Sequence, residues 1–206
     1  MPVLDEYGIP FISDEVQSGW GRTGKSFFGI HGHGVNPEMM TFAKGLGNGM
    51  SIGGVVASAS MMDCLTANSI STAGGNPVAM TAGNATLDYV LDNDLQTNAE
   101  VIGRRLMDGL RSRFASSSVV GEIRGSGLMI GVELVKPGSK DPDVATTLAI
   151  MEEARAAGLL IGRGGLYGNV LRVTPPMTVT AEEADAAIEI LASVISRHDA
   201  AALQLR

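Results

Sequence analysis

Two short stretches hold the residues whose types could do chemistry. Asp14 and Glu15 stand together at the end of the apolar run PFISDEV, and Lys44 directly follows the apolar run MMTFA, thirty residues after Asp14. A buried carboxylate needs a partner, because an unpaired ionised one is costly to keep charged away from water. Consecutive strand residues point to opposite faces, so only one of Asp14 and Glu15 can face a ligand crevice at the strand's carboxyl end. A lysine at the end of a nearby strand is either a salt-bridge cap or a nucleophile. Spacing alone favours a salt bridge between Asp14 and Lys44.

Gly19, Gly21 and Gly24 spell G-x-G-x-x-G after the acidic pair. In a dinucleotide-binding fingerprint the first glycine closes a strand and the third lies in a helix whose N-terminus receives the pyrophosphate. Here DEVQS intervenes before Gly19, and KSFFGIHGHGVNPE follows Gly24, with two aromatics, three further glycines and a proline. That is a loop composition, so the nicotinamide and flavin readings are set aside. His31 and His33 fall in this Gly-rich loop and read as a solvated turn rather than a metal site, and Cys64, the only cysteine, has no internal partner. No metal is expected.

The elements that must position these residues follow from apolar periodicity. A helix end in PVLDEYG leads to a strand from Ile9 to Val16, whose near-continuous apolar character suits a buried parallel strand. Met39 to Ala43 and Ile52 to Ser58 are two more short strands. Asn76-Pro77 opens a helix through about Leu91, a capping side chain followed by proline at the first helical position. A second helix covers Thr97 to Phe114, with Val101, Leu106, Leu110 and Phe114 at helical spacing. Short strands over Gly121 to Arg124, Leu128 to Val135, Leu159 to Ile161 and Val170 to Val173 then surround a helix from Val144 to Ala157. The last helix opens with Thr180 and Glu183 as a capping box and buries Ala184, Ile188, Leu191 and Ile195. The predicted fold class is α/β: part of a layered domain over 1–75, connecting helices over 76–115 and an α+β subdomain over 116–206.

Composition narrows the function classes. Apolar runs break well before the ~18 residues a membrane span requires, so no membrane association is expected. The net charge of −7 and scattered basic residues argue against a nucleic-acid partner. MPVLDEYG has neither a basic nor an apolar targeting region, which points to a cytoplasmic protein. Gly makes up 27 of 206 residues, well above a background of about 7%, and much of it precedes residue 76. A small-molecule site built from loops in the first third is the expectation.

The ordered set ISDEVQSGWGRTG, TFAKGLGNG, STAGGNP, GEIRGSGLMIGVEL and LRVTPP covers nearly the whole chain. It resembles the class III pyridoxal-phosphate-dependent aminotransferases, the family of ornithine, 4-aminobutyrate and alanine:glyoxylate aminotransferases. The resemblance implies the fold-type I architecture, with a partial large domain and a C-terminal small domain, and the cofactor pyridoxal 5'-phosphate. Lys44 matches the lysine that carries the cofactor as a Schiff base, and Asp14 the aspartate that pairs with the pyridinium nitrogen. Val16 is expected against the ring face and Gln17 near the phenolic oxygen. Thr72 matches a threonine that reaches the cofactor phosphate of the other subunit of a homodimer, so the active sites would be shared. Arg172 matches the arginine that clamps the substrate carboxylate. The substrates implied are an amino acid and a 2-oxo acid such as pyruvate or glyoxylate, exchanged by a ping-pong mechanism.

Two features depart from the family pattern. Ala73 stands where an aromatic residue is usual. The family's members are also about twice as long, so the chain reads as truncated at its N-terminus, with the phosphate-holding loop and the ring-stacking aromatic expected in the absent half. The alternatives are a catalytically inactive remnant and an aminomutase-type enzyme of the same class.

Overall fold

The computed structural model describes residues 2–204. The chain forms two compact units that meet in sequence at Thr97 and Asn98.

In the first unit, α1 (Pro2–Glu6) precedes β1 (Ile12–Asp14), β2 (Met39–Phe42) and β3 (Gly54–Ala57), and a short helix α2 (Ala59–Met62) follows. The three strands form a sheet in that order, β1 parallel to β2 and β2 antiparallel to β3. The strand expected over Ile9 to Val16 is thus only three residues long. Pro10 has no N–H to give a ladder, and the Phe11 N–H is taken by Glu38 Oε2 at 2.7 Å. Nor is β1 the buried strand its apolar character suggested, since Ile9 and Ile12 are about half exposed.

Helix α3 (Pro77–Asp92) starts where the sequence predicts, with Asn76 Oδ1 accepting the Ala79 N–H at 2.9 Å. It packs on the turn after β2, where a side chain on Gly83 would stand 2.9 Å from Ile52 Cδ1 and close to Leu46. Helix α4 (Leu95–Arg113) follows and runs on into the second unit's sequence.

The second unit adds β4 (Val120–Ser126), β5 (Met129–Leu134), α5 (Val144–Ala156), β6 (Gly162–Gly164), β7 (Val170–Val173) and α6 (Ala181–Gln204). Its sheet has the order β4-β5-β7-β6 and is antiparallel throughout. Leu106 and Leu110 of α4, Phe114 just after it, Val132 and Leu171 of the sheet, Ile150 of α5 and Ala184, Ile188, Leu191 and Ile195 of α6 share one core. Val101 is the exception to the predicted stripe and is exposed. At 3.6 residues per turn Val101 falls off the face of Leu106 and Leu110, and Ile102, four and eight residues before them, takes the position. The capping box of α6 is present: Thr180 Oγ1 accepts the Glu183 N–H and Glu183 Oε2 accepts the Thr180 N–H.

The strand predicted at Leu159 to Ile161 lies further on, at Gly162–Gly164. Gly158 adopts a left-handed φ of 95° and the Leu159 N–H bonds back to the Ala154 carbonyl, so these residues close α5 instead of entering the ladder.

Candidate active site

The end of β1 sorts the two carboxylates by strand alternation. Ser13 and Glu15 point inward and Asp14 outward. Glu15, 1% exposed, is a buried anion met by four donors. Ser13 Oγ (3.1 Å) and the Ile30 N–H (2.8 Å) reach Oε1, while Ser18 Oγ (2.7 Å) and the Gly29 N–H (2.9 Å) reach Oε2. Burial pushes the Glu15 carboxyl up, but the bonds from Ser18, Ile30, Gly29 and Ser13 outweigh it and hold the group below the ordinary glutamate value. Glu15 thereby ties the loop over residues 18–30 to the end of β1.

The loop bears the glycine motif, and no α-helix follows it. A short 3-10 turn over Gly29–His33 comes next, with His31 and His33 exposed. Gly21 and Gly24 have left-handed φ values of 80° and 78°. At Gly21 a side chain would also meet Gln96 Cβ at 2.9 Å, where Gln96 Nε2 donates to the Gly24 carbonyl. Trp20 is wedged edge-on among Phe27, Phe28 and Phe42.

Asp14 is exposed, and its Oδ1 accepts the Val16 N–H (3.1 Å) and Thr41 Oγ1 (3.2 Å). Its Oδ2 has no hydrogen-bond partner among the described residues. Asp14 lies opposite Thr41 in the parallel register of β1 and β2, and Lys44 comes three residues beyond Thr41. The salt bridge favoured by spacing is not formed: among the described residues Lys44 makes no ion pair. It is exposed and opens the 3-10 turn Lys44–Gly47 with a left-handed φ of 48°, a conformation that costs a non-glycine residue energy and clusters at functional positions.

Lys44 borders an open cleft of about 690 Å³ whose other walls include Met50, Ser51, Ser71, Asn76 and Met80. Val16 is half-buried and Gln17 exposed beside Asp14. Thr72 is exposed, between Ser71 and Ala73 of the cleft wall, in a turn closed by the Gly74 N–H on the Ser71 carbonyl. Adjacent parallel strand ends therefore supply an amine without an ion pair among the described residues and a carboxylate with one oxygen to spare there, in a unit with an open cleft. This donor set fits the aldehyde cofactor with a ring nitrogen that the resemblance implies. Among the described residues no group of His, Cys, Asp and Glu is arranged to hold a metal ion, and no helix is long and apolar enough to cross a membrane.

Arg172 belongs to the second unit. It is exposed on the central strand β7, directly opposite Gly131 of β5 and Gly162 of β6. Sequence reasoning missed the role of Glu15. The available signal was the pattern S-x-E-x-x-S over Ser13, Glu15 and Ser18, two hydroxyls flanking a carboxylate at a strand end.

Residues 3–195 match the sequence profile of the family Aminotransferase class-III. The alanine–glyoxylate aminotransferase 2 homolog 2, mitochondrial, of Arabidopsis thaliana is 44% identical over 183 residues, covering 88% of this chain and 38% of that protein. An alanine/serine racemase of Pyrococcus horikoshii is 39% identical over 193 residues, covering 94% and 40%. Among solved structures, a phospholyase from Arthrobacter in complex with phosphoethanolamine superposes with a TM-score of 0.89 at 36% identity, covering 95% of this chain and 47% of that one. The chain thus spans less than half the length of each of these relatives.

Proposed function

The chain belongs to the class III aminotransferase family, pyridoxal-phosphate-dependent enzymes of the fold-type I α/β architecture, and from that premise we propose that it carries the lysine-bearing part of an aminotransferase active site. The observation that carries this reading is Lys44, exposed, without an ion pair among the described residues and bordering the cleft, one strand away from Asp14. Residues 1–75 then correspond to part of the large, cofactor-binding domain, 76–115 to connecting helices and 116–206 to the small domain.

When bound, pyridoxal phosphate supplies an electron sink that lets a proton leave the α-carbon of an amino acid. The Lys44 amine would hold the cofactor by its aldehyde and would supply the base for the α-proton of the amino acid. Asp14 would hold the ring nitrogen and favour its protonated form through a charge-assisted hydrogen bond. Val16 would pack against the ring and Gln17 would bind its phenolic oxygen. Thr72 would bind the cofactor phosphate of a second copy in a homodimer. Arg172 orients the substrate by its carboxylate, a task suited to a planar bidentate donor. An amino acid donor and a 2-oxo acid acceptor occupy the site in turn. The cytoplasmic compartment is part of the same proposal.

The test is the visible spectrum of the purified chain with pyridoxal phosphate, before and after L-alanine, beside Lys44→Ala. A lysine-dependent band that fades with alanine is the expected result. A band that survives Lys44→Ala removes Lys44 from its role, and no band in either protein means that these residues do not hold the cofactor by themselves.

The racemase among the relatives favours a second reading, in which the same lysine and aspartate serve racemisation of the amino acid. Formation of D-alanine from L-alanine without any added 2-oxo acid would single it out.

A further inference from the structure

We propose that Gly164 is a positioning residue for Arg172: its missing side chain is the slot in which the arginine stem lies, and that slot fixes where the guanidinium is presented. The inference rests on the reading of Arg172 as the carboxylate clamp.

Strand β6 runs antiparallel to β7, with Gly162 opposite Arg172 and Gly164 opposite Val170. Residues two apart on a strand share a face, so Gly162 and Gly164 both lie on the face of the sheet that bears Arg172. They are not equivalent. A Cβ on Gly162 would meet Arg172 Cβ at 3.8 Å, an ordinary van der Waals contact. A Cβ on Gly164 would stand 2.6 Å from Arg172 Cδ, 3.2 Å from Cγ and 3.8 Å from Nε, and these are its three nearest atoms.

The backbone does not call for a glycine at 164. Its φ lies outside the left-handed region, unlike that of Gly165 next to it at 81°. Gly164 closes β6, and a glycine in a strand often marks a place where another group comes close. The group here is the aliphatic stem of Arg172, which leans across β6.

A methyl at 164 therefore meets the far half of a flexible side chain rather than backbone. The arginine gives way by rotating about its outer torsions, and the sheet keeps its register. The consequence falls on the guanidinium, whose value as a clamp lies in presenting two parallel N–H donors in a fixed plane.

The test uses the 206-residue chain and four proteins: wild type, Gly164→Ala, Gly162→Ala and Arg172→Ala. Two quantities are read by NMR, the position of the Arg172 Nε–Hε resonance in the free protein and the Kd for pyruvate as a carboxylate probe. Gly164→Ala is expected to move the Nε–Hε resonance and to weaken pyruvate binding about tenfold, the loss of one charge-assisted hydrogen bond. Gly162→Ala is expected to leave both as in wild type. An Nε–Hε resonance unmoved by Gly164→Ala, or moved equally by Gly162→Ala, overturns the slot. Pyruvate binding that is lost in Arg172→Ala but unchanged in Gly164→Ala also overturns it while leaving the clamp in place. Pyruvate binding unaffected by Arg172→Ala overturns the clamp alone, and the resonance positions still decide the slot.

Discussion

Replacing Glu15 by glutamine tests how the end of β1 is held. Each carboxylate oxygen receives one serine hydroxyl and one backbone N–H, Ile30 on Oε1 and Gly29 on Oε2. The hydroxyls of Ser13 and Ser18 can rotate to accept from an amide, but the backbone donors cannot. Whichever way the glutamine amide is turned, its NH₂ faces one of the two N–H groups and leaves it buried and unsatisfied, and the other loses its charge-assisted acceptor. These losses together amount to about 2–4 kcal/mol. Trp20, the only tryptophan, lies in the tethered loop against Phe27, Phe28 and Phe42, so its fluorescence in a urea titration reads the loop directly. The expected result is an earlier midpoint in Glu15→Gln together with faster exchange of the Gly29 and Ile30 amide protons. An unchanged midpoint with unchanged protection at both amides refutes the reasoning. The same carboxylate predicts a pH signature. Its folded-state pKa is lowered, so the stability it contributes is fully present above the ordinary glutamate value of about 4.3 and is lost as the pH falls through the lowered one. Glu15→Gln should lack that acid-side loss.

Two further variants probe the second unit. Thr180→Ala removes the acceptor of the Glu183 N–H at the start of α6 and should cost about 1 kcal/mol, seen as a Tm lower by a few degrees; an unchanged Tm would show the cap to be idle. Gly103→Ala sets two effects against each other in α4. Helix propensity favours alanine by about 1 kcal/mol, but its Cβ would stand 2.3 Å from the Gly127 carbonyl carbon and oxygen, which are backbone and cannot rotate away. Overpacking of this kind costs about 1–3 kcal/mol, so a net loss is expected in a denaturation midpoint, and a gain would show that the chain at Gly127 yields.

Much of the architecture was legible because it is written in local pattern. Asn76-Pro77, the Thr180 and Glu183 box and the stripe from Ala184 to Ile195 are statements about one turn of helix or one face, and each is found as read. The places where pattern misled are those where a neighbour competed for the backbone. Glu38 took the Phe11 N–H that would have extended β1, and the end of α5 took the Leu159 N–H that would have begun β6 earlier.

The site divides in the same way. The order of motifs along the chain was enough by itself to indicate the family and to mark Asp14, Val16, Gln17, Lys44, Thr72 and Arg172 as candidates. Alternation could say that one of Asp14 and Glu15 faces outward, but not which. That was decided by two serines and two N–H groups gathering around Glu15, from a loop that returns fourteen and fifteen residues later. The absence of a salt bridge at Lys44 among the described residues and the slot that Gly164 leaves for Arg172 are likewise tertiary facts. A hydrogen bond or a close contact depends on where two segments meet in space, and spacing along a chain carries that only where the segments are neighbours in one helix or one strand.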